Sequence, residues 1–99
     1  MAKVILRQEA IDDLNDIWDY TYQKWSEIQA DKYYATIKLA CKGIGENPNI
    51  GKEYFGVTKN LLGLNSGKHI IFYHLVSYNK IEVIRKLHER MDLKNRLTE

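Results

Sequence analysis

With one cysteine, one proline and no long apolar run, this chain is delimited first by what it cannot do. Cys41 has no second thiol to meet, which excludes an intrachain disulfide and any cysteine-based zinc site, so a reducing, cytoplasmic setting is expected. It falls among apolar positions in a helical pattern, where a thiol behaves as a small buried hydrophobe rather than a nucleophile. Near the N-terminus only Val4, Ile5 and Leu6 stand together, too few for a signal-peptide core, and no window approaches a membrane span. A soluble chain not exported by that route is the expectation. The stretch from Gly63 to Gly67 lacks the spacing and the following helix that cradle a phosphate, so neither a Walker loop nor a dinucleotide loop is present. Internal repeats and low-complexity segments are also lacking.

What is present is the composition of a globule, 44% hydrophobic over 99 residues, with two Trp, seven Tyr and two Phe. One core is already marginal at this length and two would each be too small, so residues 1–99 read as a single domain. The formal charge of +2 conceals a division. Residues 1–31 hold three basic and seven acidic side chains, whereas residues 32–99 hold twelve and six. An anionic partner for the second half is permitted by that asymmetry, and so is a plain solvated face.

Lys3 to Arg7 reads as a first strand. From Glu9 onward Ile11, Leu14, Trp18, Tyr22 and Trp25 recur at three- and four-residue steps, as on one face of an amphipathic helix. Asp12, Asp13, Asp16 and Asp19 lie between them and favour the positive end of the helix dipole, a role in stability and solubility rather than in metal binding. Ser26 and Gln29 match a capping box that opens a second helix with Ala30, Tyr33 or Tyr34, Ile37, Ala40 or Cys41, and Ile44 inward. Gly45, Asn47 and Pro48 should end it, glycine taking the left-handed position. So short a connection makes the helices an antiparallel hairpin. Residues 47–60 read as an extended loop, pinned by Tyr54 and Phe55, in which Lys52 and Lys59 are solvated or touch phosphate.

Leu61 to Leu64 is expected as a strand closing in a turn at Asn65, Ser66 and Gly67, with Lys68 to Val76 returning as a central strand apolar on both faces. After a turn at Tyr78, Asn79 and Lys80, Ile81 to His88 completes a three-strand meander. His69 and His74 are an odd number of residues apart and point to opposite faces of an unbroken strand, so no metal site is expected from them. Arg85 has two readings, a partner contact or an ion pair with a carboxylate of the first helix.

The order strand, two helices and meander, together with Ile70-Ile71-Phe72-Tyr73 and the run Ile84-Arg85-Lys86-Leu87-His88-Glu89-Arg90-Met91-Asp92, resembles the ParE toxins of the RelE/ParE superfamily. The resemblance implies an α+β fold with a small, mainly antiparallel sheet and a short C-terminal helix. It also implies a type II toxin that inhibits DNA gyrase and blocks replication, neutralised by a ParD-like antitoxin, with no cofactor and no sequence-specific DNA binding of its own. The partner-binding residues expected on that reading are Lys68, Tyr73, Arg85, His88, Arg90 and Lys94. An exposed sheet edge and a hairpin groove would take an extended strand and an amphipathic helix from the antitoxin.

The superfamily's other branch, the ribosome-dependent mRNA endonucleases similar to RelE, supplies the alternative. In-line attack by a ribose hydroxyl needs a base, cations on the phosphate and an acid. Arg85, His88 and Tyr73, helped by Tyr78, could fill those roles. Lys68-His69 stands where that branch has an arginine, and no tyrosine follows Tyr78. His88 beside Glu89 and Arg90 also reads as a structural hydrogen-bonded residue, and a binding module without toxicity is a further alternative.

Overall fold

A computed structural model describes residues 3–53 and 61–88. Strand β1 (Lys3–Leu6) leads into helix α1 (Gln8–Lys24), helix α2 (Glu27–Glu46) and a 3-10 turn at Pro48–Ile50. Strands β2 (Lys52–Glu53), β3 (Leu62–Ser66), β4 (His69–Ser77) and β5 (Lys80–His88) follow. The five strands form one sheet in the order β1-β5-β4-β3-β2, antiparallel except where β1 joins β5. The α+β architecture and the meander are those expected. The expected C-terminal helix, the pinning by Tyr54 and Phe55, and the contacts of Arg90 and Lys94 lie outside the described residues. Among the described residues no helix is long and apolar enough to cross a membrane.

The inward face of α1 differs from the expected one. Ala10, Leu14 and Ile17 are buried, whereas Ile11, Tyr22 and Trp25 are exposed. Leu14 faces inward as expected, but the small side chain of Ala10 lets the helix sit close to the sheet, so Ala10 and Ile17 take the places expected of Ile11 and Trp18. On α2 the inward residues Ala30, Ile37 and Ile44 are as anticipated. Ser26 Oγ accepts the Gln29 backbone N–H at 3.1 Å, capping the helix as its sequence indicated. Its far end differs: the helix runs through Gly45 to Glu46 and stops at Asn47, in extended conformation with φ −144°. Pro48 disfavours the helical conformation at Asn47 and has no N–H to continue the ladder, so no left-handed glycine is needed. Gly67, with φ +62°, is the positive-φ glycine among the described residues, and it forms the β3–β4 turn. A Cβ there would also press to 2.6 Å from the Tyr33 ring.

The segment expected to be an irregular loop contains order. Lys52 and Glu53 pair with Gly63 and Leu62, extending the sheet beyond β3. Tyr73, fully buried on β4, fastens that segment: its hydroxyl donates to the Pro48 carbonyl at 2.7 Å and accepts from Gly51 N–H at 2.9 Å. Burial pushes the Tyr73 phenol above its ordinary pKa.

The helices cover one sheet face, where Ile71, Tyr73, Ile81 and Val83 meet Ala10, Leu14, Ile17, Ile37 and Ile44. Leu61, Ile70, Phe72 and Leu87 cluster on the other. Only the first half of β4 is covered on both faces, since Leu75 and Val76 are exposed. A bulge in β5 sets the exchange of faces. Phe72 pairs with Arg85 but Tyr73 with Val83, leaving Ile84 as the additional residue. Before it Ile81 and Val83 face the helices; after it Leu87, still odd-numbered, joins the opposite cluster.

Glu82 ties the entry of α1 to the sheet. Its Oε1 accepts from Arg7 Nη2 at 2.7 Å and from His74 Nε2 at 2.8 Å. The hydrogen bond from Arg7, then that from His74, holds the Glu82 carboxyl below its ordinary pKa. A depressed carboxyl pKa in the folded state stabilises the fold above the unfolded-state value of about 4.3 and loses that contribution as pH falls through the folded value. Urea midpoints measured from pH 7 down to pH 3 should therefore fall more steeply for the native chain than for Glu82→Gln; equal slopes would assign the acid sensitivity elsewhere.

Candidate functional site

Two of the sequence-predicted residues converge on a groove and two do not. Lys68, on the β3–β4 turn, and His88, at the end of β5, line a cavity of about 620 Å³. The opposite wall is helical, with Tyr20, Thr21 and Lys24 from α1, Trp25 from the connection, and Gln29 and Tyr33 from α2. Gly67 and His69 complete it. The groove exists because the short α1–α2 connection and the two-residue β3–β4 turn reach the same end of the molecule.

A hydrogen-bond cluster built on Tyr33 shapes the floor. Its hydroxyl donates to the Ser66 carbonyl at 3.1 Å and accepts from the Lys68 backbone N–H at 3.1 Å, with His69 Nδ1 2.6 Å away. A phenol has one proton, and the Ser66 carbonyl can only accept. All three contacts are satisfied together when His69 carries its proton on Nδ1 and donates it to Tyr33, which makes Nε2 the basic nitrogen of the neutral ring. The His69 and His88 rings meet edge to face with centroids 5.3 Å apart. Lys24 Nζ lies 5.8 Å from the Tyr20 ring centroid, within cation–π range. Lys24 and Lys68 form no ion pair with a described carboxylate. Among the described residues no aspartate or glutamate lines the groove.

Tyr73 and Arg85 stand apart from it. Tyr73 is enclosed with both hydroxyl contacts made to the Pro48–Gly51 segment, so its expected place on a partner surface is not where the fold puts it. Arg85 takes the second of its two readings. Its Nε and Nη2 donate to Asp13 Oδ2 and Oδ1 at 2.8 and 3.0 Å, a two-pronged pair whose side chains are 18% and 12% exposed. Asp13 Oδ2 also accepts the Lys86 backbone N–H at 2.9 Å. The Lys86 side chain is buried, and desolvation holds its ammonium below the ordinary lysine pKa. Nearby Cys41 is partly buried, and burial raises its thiol pKa. Among the described residues no three His, Cys, Asp or Glu side chains gather where they could hold a metal ion.

Sequence reasoning missed Tyr20, Lys24, Trp25, Tyr33 and His69 as groove residues. Trp25 carried a signal, since a tryptophan directly before the Ser26 cap belongs to a helix junction more than to a packed stripe. Asp13 carried one too. Alone among Asp12, Asp13, Asp16 and Asp19 it borders the buried stripe 10-14-17, and the other three are exposed.

With this geometry in view, the comparisons with known proteins are decisive for the family. The profile described as the ParE toxin of the type II toxin–antitoxin system, parDE, matches residues 4–93. The chain belongs to the ParE toxin family. Toxin ParE1 of Mycobacterium tuberculosis strain H37Rv is 32% identical over 96 residues, covering 97% of this chain and 98% of that protein. Toxin ParE1 of Caulobacter vibrioides is 32% identical over 92 residues, 93% of this chain and 94% of its own length. A solved structure described as the chromosomal ParDE TA system from P. aeruginosa has the same fold, with a TM-score of 0.77 at 17% identity over 89% of this chain and 96% of that one.

The Asp13–Arg85 pair makes a stability prediction. Asp13→Ala should destabilise the folded chain by about 3 kcal/mol, because it removes the two-pronged acceptor of a shielded guanidinium and leaves the Lys86 amide N–H without its carboxylate. In a urea-denaturation cycle, Asp13→Ala/Arg85→Ala should cost less than the sum of the single variants; additive losses would mean that the two side chains do not interact.

Proposed function

We propose that this ParE-family chain is a cytoplasmic toxin that inhibits DNA gyrase and so blocks replication, and that a ParD-like antitoxin neutralises it. What carries the reading is similarity along nearly the whole length of two proteins named Toxin ParE1. The placement of two residues speaks for inhibition by binding over the RelE-like nuclease alternative. Of the trio Arg85, His88 and Tyr73, Arg85 is engaged by Asp13 and Tyr73 by Pro48 and Gly51, while His88 borders the groove. A binder needs only a folded surface, whereas phosphoryl transfer needs those groups within reach of one phosphate.

The antitoxin reading has its own physical basis. Among the described residues β1 pairs with β5 alone, an edge strand of the kind that can take an added strand. The basic excess of residues 32–99 favours an acidic segment, with Lys68, His88, Arg90 and Lys94 as contacts.

Induction of the chain alone in a bacterial host should arrest growth with DNA-damage signalling, and the purified chain should suppress supercoiling by gyrase. Co-expression of a small ParD-like protein should restore growth. Arrest accompanied by mRNA cuts at codon positions would replace this reading with the nuclease one, and unimpaired growth would sink both in favour of a non-toxic binding module.

A further inference from the structure

We propose that the groove between the C-terminal turn of α1 and the β3–β4 turn binds a phosphorylated nucleobase, either a free nucleotide or one residue of a single strand. The electrostatics come first. Lys24 on α1 and Lys68 on the β3–β4 turn line the groove from two directions, and neither forms an ion pair with a described carboxylate. The lysine ammonium groups are not engaged by described acids, so an incoming phosphate meets cations it does not have to take from another partner.

The second observation selects the rest of the ligand. Trp25 is 71% exposed and Tyr20 63%, although each has a broad apolar ring beside the same cations. Rings of that kind at a cationic groove are the recurrent platform on which bases stack, while the cations track the phosphate. An acidic peptide would satisfy the lysines and histidines but has no planar group for Trp25 and Tyr20. The cavity volume, about 620 Å³, falls within the span usual for small-ligand sites.

The third observation is preorganisation. Tyr33 binds Ser66, Lys68 and His69 at once, so the backbone of the turn and the His69 ring are set before any ligand arrives. Gly67, required at φ +62°, holds Lys68 at the rim. The recognition is of phosphate and ring, not of sequence, because nothing here presents the paired donors and acceptors that distinguish one base edge from another. The site is independent of the gyrase reading and can be tested on the isolated chain.

Fluorescence anisotropy of a short labelled oligothymidylate with the full chain at low salt, with AMP as competitor, tests the proposal. The expected result is saturable binding that Trp25→Ala weakens about tenfold, the scale of one stacked base, and that Trp25→Phe restores in large part. Lys24→Ala/Lys68→Ala should reduce the slope of log affinity against log salt by about 1.4, at roughly 0.7 per phosphate contact. Full competition by AMP assigns a nucleotide site; oligothymidylate binding that resists AMP assigns a strand site. The side chains of Trp25, Lys24 and Lys68 are exposed, and unchanged thermal midpoints would verify that the variants fold. Failure of the folded native chain to bind either probe would overturn the proposal, as would binding that the groove variants leave unchanged. A Glu-rich peptide that displaces the oligonucleotide and binds Trp25→Ala as well as the native chain would overturn it in favour of a peptide site.

Discussion

Asp13 is the point at which the helical half is joined electrostatically to the sheet. Its carboxylate takes both prongs of Arg85 and the backbone N–H of Lys86, just beyond the β5 bulge. At a fully hydrated site such a pair would contribute little, but shielding from water strengthens the attraction and raises the penalty for losing either partner. The carboxylate also offsets the charge of Lys86, whose side chain is buried nearby. Apolar contacts fix how closely α1 lies on the sheet, and this directional contact fixes where along the strand it lies. Lys24 is eleven residues further along the same helix, about 16 Å at 1.5 Å per residue, so the position of the groove wall follows from an anchor at its other end.

The two ends of the chain's charge asymmetry therefore answer to different physics. Part of the acidic first helix is spent on an internal pair, Asp13 with Arg85, and Asp31 accepts the indole N–H of Trp18 at 3.1 Å to brace the two helices. Exposed Asp12, Asp16 and Asp19 remain as solvated charge. On the basic side Arg85 and Lys86 are absorbed by the fold, whereas Lys68, with Lys24 from the acidic side, is presented at a rim beside aromatic rings. The family places the chain among toxins, and the contrast between absorbed and presented cations separates charge that holds the fold from charge that faces solvent.

Much of the architecture was legible because it rests on local chemistry. The Ser26 cap, the stop before Pro48, the meander and the apolar run Ile70 to Tyr73 all follow from rules that act within a few residues. The alternation of β5 was less legible, since a bulge is decided by pairing across strands. The groove was less legible still. Trp25 looks like a member of a hydrophobic stripe until Ala10 takes the inward position and turns it outward, and Tyr20 belongs to no stripe at all. Tyr73 looked like a surface tyrosine for the opposite reason: its partners, Pro48 and Gly51, are backbone groups that no side-chain pattern announces.

The bulge at Ile84 gives β5 two reading frames. Residues before it and after it obey opposite parity rules, much as a frameshift changes the meaning of every later codon without altering the letters. Lys86 and Leu87 are intelligible only in the second frame, with Ile71 and Ile70 as their respective partners across the strand. An alignment that matches apolar positions along β5 while ignoring this offset would exchange the inner and outer faces of its last residues, so relatives are best compared from the bulge outward in both directions.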